Sequence, residues 1–517
     1  MLINFHIAAS AMAAMAIPIV YFFLWKLKST PKTALSSSDK LPKSYPIIGS
    51  ILSIWKNQQK FVQWTSEIVT STPTLTFLLR HPFGRKTIFT ANPAVVRHIL
   101  KSNFKNYSKG EAFRGTLRDF LGDGIFNSDG EMWKFQRQIA IHEFKTKSLW
   151  KFVENVVDSM IAGRLIPVME NAAAAVLDLQ DVLHRLGFDN ICKIAFGYDP
   201  GHLSPSPSLP PVSFAAAFEK AMKLSGDRFQ AFFPYLWKIK KALNVGSERE
   251  LKIAVGHVRE SAIQIVRAKK EELFRRSNGG GDGDGDGGDL LSRFLSSGHT
   301  DEEFVTDIVI SFILAGRDST SAVLTWFFWL LSRHRRVEEE VVGEIENTSG
   351  VSAYEEVKEM VYTHASLCET MRLYPPIPMD PKTAQNNDVL PDGTVVEKGA
   401  VVVYHPYAMG RAEAVWGKDW AEFRPERWLE RDAGGGGAGK WRFVGKDEYS
   451  FPVFQGGPRI CLGKDMAFIQ MKRVVAAVLR RFRVVPVAAD GAEPVFIQTL
   501  TARMEDGLPV RLEARVK

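Results

Sequence analysis

The stretch Phe454-Gln455-Gly456-Gly457-Pro458-Arg459-Ile460-Cys461-Leu462-Gly463 leaves this chain the fewest alternatives. It sets a cysteine in a glycine-rich loop that opens into apolar residues at Ala467, Phe468, Met471, Val475, Val478, Leu479 and Phe482. That spacing predicts an amphipathic helix just after the cysteine. A free thiol ionises near pH ~8.5, and a helix N-terminus lowers that value because unpaired N–H groups favour negative charge. The flanking glycines let backbone N–H groups approach the sulfur, and Arg459 supplies a cation two residues upstream. A lone cysteine is more often a small buried hydrophobe. A thiolate held in this way, by contrast, suits an axial ligand for haem iron.

The spacing F-x-x-G-x-R-x-C-x-G resembles the haem-binding loop of the cytochrome P-450 superfamily at each fixed position. The resemblance implies haem b bound through Cys461, with Arg459 beside the cofactor, and electron donation from sulfur that favours O–O cleavage. It also implies a mainly α fold with small β-sheets in a single haem domain. O2 and NADPH-derived electrons would be the co-substrates.

A length of 517 residues taken alone suggests about three domains. Motifs spread from position 133 to position 461 make sense only if they converge on one cofactor, so one large domain is expected. The net charge of +8 is compatible with nucleic acid, an anionic membrane or an acidic protein. No compact basic and aromatic array accompanies it, which disfavours nucleic acid. Cys192, Cys368 and Cys461 are the three cysteines, too few and too scattered for a disulfide framework or a zinc site.

From Ile7 to Trp25 the sequence is almost continuously apolar, and at ~1.5 Å per residue it reaches roughly 29 Å, close to one bilayer core. Lys26, Lys28 and Lys32 follow it and no Lys or Arg precedes it, so the remainder is expected in the cytosol. A cleaved signal peptide would call for a basic residue before the apolar run. The expected organisation is a transmembrane anchor over 1–28, a Ser/Pro-rich linker and hinge over 29–50 and a monooxygenase domain over 51–517. The segment Leu41-Pro42-Lys43-Ser44-Tyr45-Pro46 resembles the proline-rich hinge of microsomal members of the superfamily, which implies a single-pass protein of the endoplasmic reticulum membrane.

Ser128 or Asp129 is placed to cap a helix starting near Gly130, with Trp133 and Arg137 four apart on one face. An indole N–H and a guanidinium are donors only, which suits a carboxylate. In the family resembled, this pair binds a haem propionate. Two Gly-rich stretches mimic nucleotide motifs: Gly283–Gly288 has no strand before it, and Gly434–Lys440 is followed by Trp441 where a Ser or Thr is required. Both read as loops. With no flavin or nucleotide site in the chain, electrons are expected from a separate NADPH-dependent flavoprotein reductase, drawn by Lys134, Lys464 and Arg473 on the thiolate face.

The segment from about Glu302 to Arg333 reads as a long apolar helix interrupted at Ala315-Gly316-Arg317-Asp318-Ser319-Thr320. Asp, Ser and Thr compete there for backbone hydrogen bonds and are expected to open the helix. The stretch resembles the oxygen-binding element of the superfamily, with Ser319 where the usual pattern has threonine. Asp318, Ser319 and Thr320 are therefore candidates for proton delivery to bound dioxygen. Glu369-Thr370-Met371-Arg372 resembles the E-x-x-R motif, whose implied partner is Arg427; all three are read as structural.

Beyond these motifs the resemblance narrows to plant fatty-acid ω-hydroxylases and their relatives, carried by Asn190–Tyr198, Tyr374–Asp380 and Tyr407–Arg411. It implies terminal or near-terminal hydroxylation of a long lipid, with onward oxidation to aldehyde or acid open. A fatty acid is the default substrate. Alternatives are the terminal (C-26 type) carbon of a sterol side chain and a jasmonoyl amino acid, and in other classes a haem-thiolate isomerase or dehydratase, or a gas-binding haem protein. Phe113, Phe126, Phe312, Ile377, Met379 and Leu500 are the candidate substrate contacts.

Overall fold

The computed structural model describes residues 41–144, 147–172, 175–204, 213–230, 236–278, 289–296, 298, 301–348, 353–431, 440–487 and 493–515. Pro42–Lys517 forms one compact unit. The apolar run Ile7–Trp25, the Ser/Pro stretch at 205–211 and most of both Gly-rich loops lie outside the described residues.

The described helices used below are α1 (Phe61–Ser71), α2 (Gly110–Leu121), α3 (Gly130–Phe144), α4 (Lys147–Met160), α5 (Leu179–Phe196), α6 (Ser213–Gln230), α7 (Gly246–Asn278), α8 (Glu302–Arg333), α9 (Arg335–Asn347), α10 (Val361–Leu373) and α11 (Lys464–Leu479). Five short strands form one sheet in the order β1 (Thr76–Arg80), β2 (Lys86–Thr90), β5 (Val401–Tyr404), β4 (Asp380–Ala384), β3 (Tyr107–Ser108). Within it β2 and β5 run parallel and the other neighbours antiparallel. A hairpin of β6 (Phe496–Gln498) and β7 (Ala502–Met504) stands apart from that sheet.

The central element is α8. Asp301 caps it, its carboxylate accepting from the Phe304 N–H at 2.7 Å. The helix is apolar enough to span a bilayer, but most of it is buried in protein, so its hydrophobicity serves the core. It packs closely on α5: a Cβ added at Gly187 would lie 2.8 Å from the Arg317 carbonyl oxygen, and one at Gly316 would lie 2.5 Å from Ile191. This crossing brings α5 side chains against the polar stretch of α8.

Two local expectations are revised, and a third segment gains detail. The α8 helix runs unbroken through 315–320, because Ser319 donates to the Ala315 carbonyl at 2.8 Å and Ser321 to that of Arg317 at 2.9 Å; these hydroxyls add to the i−4 carbonyls without displacing the ladder. Phe482 is buried, but it begins a strand, Phe482–Pro486, beyond the end of α11. Residues 45–50 of the expected hinge pack on the compact unit: Tyr45 and Gly49 exchange backbone hydrogen bonds at 2.9 Å, and the Ser50 N–H donates to the Arg80 carbonyl at 2.7 Å.

Glu369, Arg372 and Arg427 meet in the interior as a triad. Arg372 grips both Glu369 oxygens at 2.7 and 2.8 Å, and Arg427 reaches Oε1 at 3.2 Å. The Trp428 indole and the Arg424 backbone N–H complete the carboxylate's shell at 2.9 and 3.0 Å. Arg372 also donates to the Trp420 and Glu422 carbonyls at 2.8 and 3.0 Å, tying α10 to the segment before Pro425. Glu369→Gln leaves the buried Arg372 without its counter-charge and takes from Arg427 one of two, the other being Asp419 at 2.9 Å, which is expected to cost about 3–5 kcal/mol of stability. Urea unfolding measures this; a parent-like midpoint contradicts a stabilising role for the triad.

Candidate functional site

The cysteine loop is pinned at both ends. The Cys461 N–H donates to the Phe454 carbonyl at 2.8 Å, and Arg137 donates to the Ile460 carbonyl at 2.6 Å. Cys461 lines a cavity of about 1760 Å3, and the surface it exposes faces that space. Burial pushes the Cys461 thiol up, while a hydrogen bond from Gly463 and the charges of Arg137 and Lys464 pull it down. A metal ion bonded to the sulfur would deprotonate it.

One wall of the cavity is cationic. Trp133, Arg137, Arg459 and Lys109 all line it. The Arg459 guanidinium lies 4.3 Å from the Trp133 ring centroid and the Arg137 guanidinium 5.9 Å. Asp129 does not cap its own helix as expected. Its carboxylate accepts instead from the backbone N–H groups of Lys109 and Gly110 at 3.1 and 3.3 Å, ahead of α2, and from Arg459 at 2.7 Å. It therefore orients the cations of this wall from behind. Lys109 is shared with Asp380, 3.1 Å from its Nζ.

Ser319 and Thr320 line the cavity, whereas Asp318 sits off its wall in an ion network with α5 and α6. His184 Nε2 is 2.7 Å from Asp318 Oδ1, and Arg317 donates to His184 Nδ1 at 3.2 Å. Because Nδ1 accepts, the imidazole hydrogen lies on Nε2 and points at the carboxylate. Arg317 also pairs with Glu219, which Arg503 reaches at 3.1 Å. Burial alone would raise Asp318, yet Arg317 and His184 hold it below the ordinary carboxylate value. Asp318 is thus a bound anion on the far side of the helix from which Ser319 faces the cavity.

The rest of the wall is apolar. Phe113, Phe126, Phe312, Ile377, Met379 and Leu500 all lie on it, brought together from five separate segments. Phe113 packs against Phe229 with centroids 5.4 Å apart, and Phe312 against Phe144 at 6.0 Å. Sequence reasoning missed Lys109, Phe229, His184 and Asp380. For the first three no local pattern marks the role; Asp380 stood in a quoted segment without one.

The cations expected on the thiolate face differ in availability. Lys464 is exposed, Lys134 lies 2.5 Å from Glu131, and Arg473 is tied to Asp158 at 2.8 Å and to Glu356. Arg473 is already neutralised by those two carboxylates, which removes it from the set of exposed cations.

The donor set fits haem: a cysteine on the wall of a cavity exceeding the about 300–1,000 Å3 of an ordinary ligand pocket, beside cations and an indole that match carboxylates. Fold and site together define a helical haem-thiolate protein. Residues 40–508 match the family model described as Cytochrome P450. The chain is 57% identical over 498 residues to Cytochrome P450 94A2 of Vicia sativa, covering 96% of this chain and 95% of that protein. It is 46% identical to Cytochrome P450 94B1 of Arabidopsis thaliana, covering 98% of each, and 43% identical to Cytochrome P450 CYP94D108 of Paris polyphylla, covering 90% and 91%. The chain belongs to the cytochrome P450 family, and its relatives place it with the 94 group. It is accordingly a monooxygenase that uses thiolate-ligated haem, O2 and NADPH-derived electrons, which in this family arrive from a redox partner.

His184→Leu removes a charge-assisted partner from a buried carboxylate, which is expected to cost about 1–3 kcal/mol. Chemical denaturation of the purified variant measures it, and a change within about 0.5 kcal/mol, the size of a neutral surface substitution, contradicts the ion network.

Proposed function

We propose that this monooxygenase hydroxylates the terminal or near-terminal carbon of a long-chain fatty acid. The supporting observation is the composition of the one cavity that Cys461 lines. It is walled by Phe312, Ile377, Met379 and Leu500, and its lining also includes exposed Ile47 and Leu52, the cations Arg85 and Lys398, and Lys86 paired with Glu397 at 2.8 Å. An apolar lining that also carries Arg85 and Lys398 suits a molecule that is hydrocarbon at one end and anionic at the other. A sterol has no carboxylate to meet those cations. A jasmonoyl amino acid has one, but offers a shorter hydrocarbon reach.

In this reading Cys461 would hold the haem iron through its sulfur, and the haem would supply dioxygen activation. Trp133, Arg137, Arg459 and Lys109 would hold its carboxylates by hydrogen bonds and charge. Ser319, with Thr320 beside it, presents a hydroxyl to the cavity for proton transfer, and Asp318 and His184 fix the local field behind it. Phe113 and Phe126 belong to the same wall. The electrons come from a separate flavoprotein reductase docking near Lys134 and Lys464. The reading also includes an anchor over Ile7–Trp25 in the endoplasmic reticulum membrane, with the compact unit on the cytosolic side, where lipids are drawn from the bilayer.

Titrating the haem spin state with a long-chain fatty acid, a hydroxylated sterol and a jasmonoyl amino acid tests the assignment. The fatty acid is expected to bind tightest and to give a terminally hydroxylated product with a reductase and NADPH. Tighter binding and turnover of the sterol or the conjugate contradict it.

A further inference from the structure

Gln455 has a backbone conformation that almost only glycine adopts. Its φ is 63° and its ψ is −176°, and such a region persists for a residue with a Cβ only where the surroundings over-determine it. The chain does not use glycine here, although glycines follow directly at 456 and 457. What the glutamine adds is its side-chain amide. Its Nε2 donates to Asp380 Oδ2 at 2.6 Å, and its Oε1 lies 2.5 Å from the Tyr404 hydroxyl.

Asp380 is a hub. Besides Gln455, its carboxylate takes Lys382 at 2.7 Å and Lys109 at 3.1 Å, and the Tyr404 hydroxyl, 2.7 Å from Oδ2, has one proton to share between that oxygen and Gln455 Oε1. The β4–β5 register pairs Asp380 with Tyr404, so the sheet sets these two side by side. Burial would raise Asp380, yet Lys109, Lys382 and Gln455 hold it well below the usual carboxylate range, while burial pushes Lys382 down to about 7. The acid is thus an anion locked inside the protein. One of its oxygens takes the cation on the cavity wall, and the other takes the amide of the cysteine loop.

We infer that Asp380, acting through Gln455 and Tyr404, is a positioning element for the thiolate ligand. It fixes the entry of the cysteine loop against the sheet, and through Lys109 it registers that loop to the cationic wall. The path to the sulfur is short, because the residue before Gln455, Phe454, accepts the Cys461 N–H. This rests on Cys461 being the axial ligand, as proposed above.

The test is the stability of sulfur ligation in the haem-loaded protein. The reduced carbon monoxide complex is warmed, and conversion of the thiolate-type band to the shorter-wavelength form is timed. Gln455→Gly relieves the backbone but loses the amide, so a purely conformational role predicts slower or unchanged conversion. The inference predicts conversion roughly three- to tenfold faster, the kinetic equivalent of one lost buried hydrogen bond. Tyr404→Phe, which keeps the ring and the fold, is expected to show a smaller acceleration, and Gln455→Asn to recover part of the loss relative to glycine. If Gln455→Gly and Tyr404→Phe both convert at the parent rate, the loop stands by its backbone alone and the inference is overturned. If the parent complex itself lacks the thiolate-type band, the ligand assignment fails first, so the two failures are distinguishable.

Discussion

The Cys461 sulfur is held facing the cavity, and the site is arranged around it. Desolvation raises its pKa, whereas the Gly463 N–H, Arg137 and Lys464 lower it. A metal ion bonded to the sulfur would favour the thiolate strongly. The glycine-rich loop, the helix start and the cations are the groups placed to hold that charge.

Buried and half-buried carboxylates do most of the remaining organisation. Glu369 gathers Arg372 and Arg427 in the interior, Asp129 orients Arg459 and the start of α2, Asp380 joins Lys109 to the cysteine loop, and Asp318 locks α5 to α8 through His184. Each lies among partners drawn from distant parts of the sequence, so each converts a local motif into a long-range constraint. The apolar cavity is what these ties leave between α2, α8, the β4 entry and the β6–β7 hairpin.

How much of this was legible follows from the same distinction. The cysteine loop, the Trp133 and Arg137 pair and the Glu369 to Arg372 spacing are contiguous patterns, and sequence exposes them. The mainly α body was implied by the resemblance and periodicity marked single helices such as the one after Cys461, although Phe482 was assigned to that helix because burial in a strand leaves the same apolar mark. The opening expected in α8 did not occur, because hydroxyls can bond the i−4 carbonyl without displacing its helical donor. Asp129 looked like a local cap, and only the folded chain shows it serving another helix. His184 and Lys109 carry no signal along the chain, since their partners lie 134 and 271 positions away.

The central claim is that sulfur from one particular cysteine is bonded to iron. X-ray absorption at the iron edge of the purified ferric protein tests it most directly, in the parent and in single serine replacements of the three cysteines. The account predicts one sulfur scatterer in the parent and in Cys192→Ser and Cys368→Ser, and its loss in Cys461→Ser alone. A sulfur signal that persists in Cys461→Ser, or is absent from the parent, would contradict it.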